Sequence, residues 1–141
     1  MRVHVLSRGE RNRQLARELA VDSVGEADAA PPGPLDGAIL FAPAGDLVPV
    51  AVRALDAAGT LAVAGIWLSD IPALNYDAEL FHERHLRSVT ANTRRDGEQF
   101  LELAQRFNIA ATTRAYPMAD APVALTDLAH GRFGGVAVLH N

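Results

Sequence analysis

Residues 35–72 read LDGAILFAPAGDLVPVAVRALDAAGTLAVAGIWLSDIP, and the order of patterns in this stretch decides the fold class. Leu35–Phe41 (LDGAILF) is a short apolar run, which predicts a strand. A turn of small residues, Ala42–Gly45, follows. Asp46 stands where a carboxylate caps free backbone N–H groups, so a helix is expected from there through Leu55, with Gly59 closing the unit. Thr60–Ala64 (TLAVA) is the next apolar run and ends at Gly65. Neither strand alternates cleanly between polar and apolar residues. That is the pattern of parallel strands covered on both faces.

The same alternation continues outward. Val3–Leu6 (VHVL) predicts a buried strand and Glu10–Leu19 an amphipathic helix with Leu15, Ala16 and Leu19 on one side. Gly25–Pro34 is rich in Pro and Gly and reads as a loop. Beyond Pro72 the expectations are a short helix at Glu79–Arg84, a strand at Arg87–Ala91, and a helix from Asp96 to about Asn108. Phe100, Leu101, Leu103 and Ala104 are its expected buried side. A strand at Thr112–Tyr116, a helix at Ala121–His130 and a last strand at Gly135–Leu139 complete the pass, with Asp120 and Asp127 on a solvated face. The fold class is therefore α/β, a parallel sheet with helices on both faces.

Composition narrows the function. The chain has 141 residues, a net charge of −4, 49% hydrophobic residues and no cysteine. The length suits one domain with a real core. Thiolate metal sites, iron–sulfur clusters and cysteine nucleophiles are excluded. All 13 basic residues are Arg, so Schiff-base and P-loop lysines are excluded too. Mild acidity argues against nucleic-acid or anionic-membrane partners, no apolar run reaches a membrane span, and no signal-peptide core stands at the start. The expected compartment is the cytoplasm.

Residues 35–72, then 86–104 (LRSVTANTRRDGEQFLELA) and 115–139 (AYPMADAPVALTDLAHGRFGGVAVL), together resemble the cofactor domain of zinc-dependent medium-chain alcohol dehydrogenases. The resemblance covers essentially the whole chain. It implies a partial Rossmann-type sheet, with residues 1–110 a truncated NAD(P)-binding domain. Residues 111–141 resemble the segment that in the family packs on the catalytic domain. Family members also carry zinc ligands and a Gly-rich turn after the first Rossmann strand, and neither occurs in this sequence: no G-x-G-x-x-G is present. The first strand–helix unit is thus missing from the pattern. In the order 3-2-1-4-5-6 that strand is central. Either Val3–Leu6 pairs directly with Leu35–Phe41, or the segment needs another chain to complete it.

The resemblance also implies site residues. Ser7 and Arg8 fall where the adenine-ribose partner is chosen; with no acid there, Arg8 suits a 2′-phosphate, so NADP is slightly preferred over NAD. Phe41, Ala42 and Pro43 fall beside the nicotinamide ribose, Gly65 and Ile66 beside the carboxamide, and Asn92, Thr93 and Arg94 near the cofactor. For each there is a plainer structural reading: a solvated Arg8, packing turns, and a helix cap at Asn92 or Thr93. His82 and His85 (HERH) are one residue short of a zinc-binding helix motif and read as ordinary polar residues. No catalytic residue and no metal ligand is assigned. The expected function is the C-terminal cofactor-binding part of an NAD(P)-dependent zinc-type alcohol dehydrogenase, inactive alone, partnered by a second copy or by a separately encoded N-terminal catalytic chain. The alternative is a non-enzymatic nucleotide-binding or interaction module that dimerises through sheet edges.

Overall fold

The computed structural model describes residues 1–141. Every strand pair in it is parallel. By internal packing the chain forms two units, Met1–Ala91 and Asn92–Asn141, where its length alone suggested one domain.

The first unit opens with β1 (His4–Leu6), α1 (Glu10–Glu18) and β2 (Ser23–Gly25). β1 and β2 form a two-stranded sheet, His4 opposite Ser23 and Leu6 opposite Gly25. β2 lies just before and within the segment expected as a loop. Then come β3 (Leu35–Leu40), α2 (Leu47–Ala54), β4 (Leu55–Val63), a single π-helical turn at Tyr76–Leu80, and β5 (His85–Ser88). These strands form a second sheet in the order β3-β4-β5. β1 does not pair with β3, so the first of the two alternatives for Val3–Leu6 is excluded.

The core lies under α2. Val48 and Val52, one helical turn apart, are fully buried with Leu55 and Leu61, and Leu40 and Val63 close the cluster. Each such side chain contributes roughly 1.5–3 kcal/mol by leaving water. Pro49 sits in the first turn of α2, where its absent N–H would have had no helical partner anyway. Asp46 does not act as the expected cap. Its backbone is already helical and its carboxylate makes no cap bond; the first N–H groups of α2 are taken by the Ala44 and Gly45 carbonyls. The helix stops at Ala54, and β4 begins at once rather than at Thr60. Its register against β3 slips between Leu35–Leu55 and Gly37–Thr60. The slack sits at Ala58, whose φ is +59° and whose N–H donates to the His82 carbonyl at 2.9 Å. Gly59 is needed there because a Cβ would stand about 3.0 Å from Asp56 O and Leu55 Cβ.

The second unit holds α3 (Arg94–Arg106), β6 (Thr113–Pro117), a 3-10 turn, α4 (Ala121–Ala129) and β7 (Val136–His140). β6 and β7 pair from Thr113–Val136 to Pro117–His140. α3 is amphipathic as expected, but none of its residues is buried: Phe100, Leu101 and Leu103 are exposed. Asp127 is buried rather than solvated. It accepts from the Tyr116 hydroxyl at 3.0 Å and from Arg132 at 3.0 Å, while Arg114 lies 3.7 Å away and stacks over the Tyr116 ring. Arg132 and then Tyr116 hold the Asp127 carboxyl below its ordinary range, and burial pushes the Tyr116 phenol up.

Candidate functional site

The carboxyl ends of β1, β3 and β4 carry the residues singled out for cofactor contact in the first unit. Ser7, Arg8, Phe41, Ala42 and Pro43 all line one cleft of about 990 Å³. Gly65 is brought against the same turn: a Cβ there would stand 2.8 Å from the Ala42 carbonyl oxygen and 3.2 Å from that of Phe41. The turn itself is pinned from behind, since the Gly45 N–H donates to Ser69 Oγ at 2.8 Å. Ile66 and Trp67 follow Gly65 and project into solvent, Trp67 at 92% exposure with a φ of +63°. A left-handed backbone at a bulky residue costs roughly 1–2 kcal/mol. Trp67 is therefore not a core residue.

The loop after β1 is held by Arg13, which sequence reading did not single out. Its guanidinium donates to the Ser7 carbonyl at 2.7 Å, the Arg8 carbonyl at 3.1 Å, Glu26 at 2.6 Å and Glu10 at 2.7 Å. Arg17 also pairs with Glu10 at 2.7 Å, so Arg17 and Arg13 keep the Glu10 carboxyl low, and Glu10 in turn raises Arg13. The i,i+3 spacing of Glu10 and Arg13 was a visible signal. Glu26 and the two carbonyls were not, because only the fold brings them in. The consequence is electrostatic. Glu10 and Glu26 are ion-paired with Arg13, and the exposed Arg8 side chain makes no ion pair.

Asn92, Thr93 and Arg94 open α3 in the second unit. Thr93 Oγ1 accepts from the Asp96 N–H at 3.2 Å and the Asp96 carboxylate accepts from the Thr93 N–H at 2.8 Å, a reciprocal capping box. Those bonds to Thr93 also hold the Asp96 carboxyl low. Arg94 pairs with Glu98 at 3.0 Å. The helix thus starts two residues before Asp96, and Thr93 caps it. His82 packs edge-on against Phe81, and His85 begins β5.

No family model matches the chain. It is 53% identical over 137 residues, 97% of its length, to "Probable alcohol dehydrogenase AdhA" of Mycobacterium tuberculosis (strain CDC 1551 / Oshkosh), of which it spans 40%. Among solved structures it superposes on the crystal structure of CAD from Helicobacter pylori complexed with NADP(H), with a TM-score of 0.79 and 19% identity over 98% of this chain and 40% of that one. Benzyl alcohol dehydrogenase from Acinetobacter calcoaceticus gives a TM-score of 0.79 and 16% identity over 98% of this chain and 42% of that one. No helix is long and apolar enough to cross a membrane. In sequence the chain is similar to 40% of an alcohol dehydrogenase, and in fold it matches the Rossmann-like part of solved alcohol dehydrogenases.

Proposed function

We propose that the chain supplies ribose-side and nicotinamide-side surface to an NAD(P)-dependent alcohol dehydrogenase, with NADP preferred. One observation carries the reading: Ser7, Arg8, Phe41, Ala42 and Pro43 line one cleft at strand carboxyl ends, with Gly65 backed against Ala42. Ligand crevices of open parallel sheets lie at such ends. The residues present fit one end of the cofactor. Arg8 has no acidic partner, and its loop is fixed by Arg13, so its guanidinium is free to meet a 2′-phosphate through two N–H groups. The bare Gly65 backbone allows close approach beside Ala42. The pyrophosphate end lacks a Gly-rich cradle, and no zinc ligand is assigned to this chain.

When bound, the cofactor accepts or gives the hydride exchanged between alcohol and carbonyl compound. Arg8 orients the ribose phosphate, Arg13 fixes Arg8, and Phe41–Pro43 with Gly65 and Ile66 shape the nicotinamide side. The chain alone does not turn over alcohol. A second reading, a module that dimerises through sheet edges, is favoured by β5, which has a neighbour on one side only.

Calorimetric titration with NADPH and NADH tests the proposal, with the solution mass measured alongside. The expected result is tighter binding of NADPH, reduced to the NADH level in Arg8→Ala. Equal affinity for both, unaltered by Arg8→Ala, would overturn the role of Arg8. No binding of either at about 1 mM, a floor of roughly 4 kcal/mol, would overturn the cofactor reading and leave the module.

A further inference from the structure

The turn on the nicotinamide side of the cleft is braced by a loop that stays outside the cleft. Phe41, Ala42 and Pro43 line the cleft, while Gly65–Asp70 do not. That loop nevertheless meets the turn near both of its ends. At its start, the Ala64 and Gly65 N–H groups donate to the Leu40 carbonyl, and Gly65 lies so close to the turn that a Cβ would stand 2.8 Å from the Ala42 oxygen. Toward its end, Ser69 Oγ accepts from the Gly45 N–H at 2.8 Å, and a Cβ at Gly45 would overlap the Ser69 and Asp70 carbonyl oxygens. Between these two contacts Leu68 packs against the buried core cluster, while Ile66 and Trp67 are exposed.

Two observations give the Ser69 contact weight. Gly45 is buried, so its N–H depends on the Ser69 hydroxyl for a partner. Trp67 holds a φ of +63°, a strained backbone for a bulky residue. Such strain persists only where the surroundings over-determine it, and it gathers at ligand clamps. Gly65, Leu68 and Ser69 are the contacts that hold it here. On the other side of the contact, the turn is short and Pro43 fixes its own φ, so the turn has few ways to move except as a body. We propose that Ser69 is a positioning residue for the nicotinamide end of the cofactor. Its hydroxyl ties the Ala42–Gly45 turn to the braced loop and keeps Phe41–Pro43 in the binding geometry before the cofactor arrives. It acts through the turn rather than by touching the cofactor. A site in its competent geometry only part of the time binds more weakly by that fraction. The inference rests on the cofactor reading above.

The test is calorimetric titration of NADPH and NADH into the full chain, its Ser69→Ala variant and its Ser69→Thr variant, with amide exchange and urea unfolding measured on each. Ser69→Ala is expected to weaken both cofactors by about ten-fold, the loss of one buried hydrogen bond. The factor should be the same for both, because Arg8 and its Arg13 clamp lie away from Ser69 and the NADPH-to-NADH ratio is theirs to set. Exchange at Gly45 should quicken, while exchange at Ser7, whose N–H donates to Gly25, stays as it was. Ser69→Thr keeps the hydroxyl at an exposed position and should restore both the affinity and the slow exchange. Ser69→Cys, whose sulfur is a weak acceptor, serves where the alanine variant does not fold and should weaken both cofactors in the same way. A merely structural Ser69 would lower the urea midpoint and leave the folded chain's affinity where it was; that result would overturn the inference and leave the cofactor reading standing. A change in the NADPH-to-NADH ratio, or a loss in Ser69→Thr equal to that in Ser69→Ala, would overturn it as well. Absence of NADPH binding by the parent chain would overturn the cofactor reading and this inference together.

Discussion

Gly65→Ala is the sharpest perturbation of the site. Gly65 is not among the positive-φ glycines, so an alanine there is not strained by its backbone angle. The whole effect comes from space. The new methyl would stand 2.8 Å from the Ala42 oxygen, where ordinary contact begins at 3.4 Å. The obstacle is backbone on both sides, since Ala64 and Gly65 both donate to the Leu40 carbonyl and the Ala42–Gly45 turn is pinned by Ser69. Something must move by roughly half an ångström in a packed region, which costs about 1–3 kcal/mol. That is about a 5- to 150-fold loss in the folding equilibrium. Urea unfolding of the parent and the variant measures it as a lower midpoint at constant slope. The same movement displaces Ala42, a cleft residue, so on the proposed cofactor reading NADPH affinity should fall with stability. Gly97→Ala is the control: it lies in exposed α3 with nothing within 4 Å, and should stabilise α3 by about 0.5–1 kcal/mol. An unchanged urea midpoint in Gly65→Ala would refute the contact argument.

Three further outcomes are expected. Leu61→Ala, at a fully buried position of β4, should cost about 2–5 kcal/mol and lower the thermal midpoint of the first unit, while Ile39→Ala on the exposed edge should cost far less. Asp127 has a depressed folded-state pKa, so the stability it confers is present above its ordinary unfolded value and is lost as pH falls through the folded one; a pH series of β6–β7 amide exchange should show this acid limb in the parent and lack it in Asp127→Asn. Thr93→Ala removes the capping box and should cost α3 about 1 kcal/mol, seen as faster exchange at Arg95 to Gly97 with the first unit unaffected.

Much of the element order was legible because apolar runs and helical spacing are short-range properties. Leu35–Phe41, Glu10–Leu19 and Ala121–His130 each lie within a residue of the observed element. Ser23–Gly25 was missed, since three residues with one apolar side chain carry no periodic signal and become a strand only by pairing with β1. The π-helical turn stands earlier than the expected helix because Asn75 caps it, its side chain accepting from the Ala78 N–H, and Glu79 accepts from the Asn75 N–H. Apolar spacing in α3 correctly marked an amphipathic helix but wrongly implied burial, because a pattern states which face avoids water and not whether a partner is there.

The site divides the same way. Ser7, Arg8, Phe41–Pro43 and Gly65 were legible as strand ends, because a parallel strand's carboxyl end is fixed by chain direction. By itself the sequence determined the parallel α/β alternation, the absence of cysteine, lysine and Gly-rich-turn chemistry, and the kinship carried by residues 35–139. Only the tertiary structure decided that β1 leaves β3 unpaired, that Arg13 clamps the Ser7–Arg8 loop, and that Asp127 is buried. Those facts rest on contacts between residues distant along the chain. Such contacts form only where backbone edges and charges meet in space, and no local pattern records which edge finds a partner.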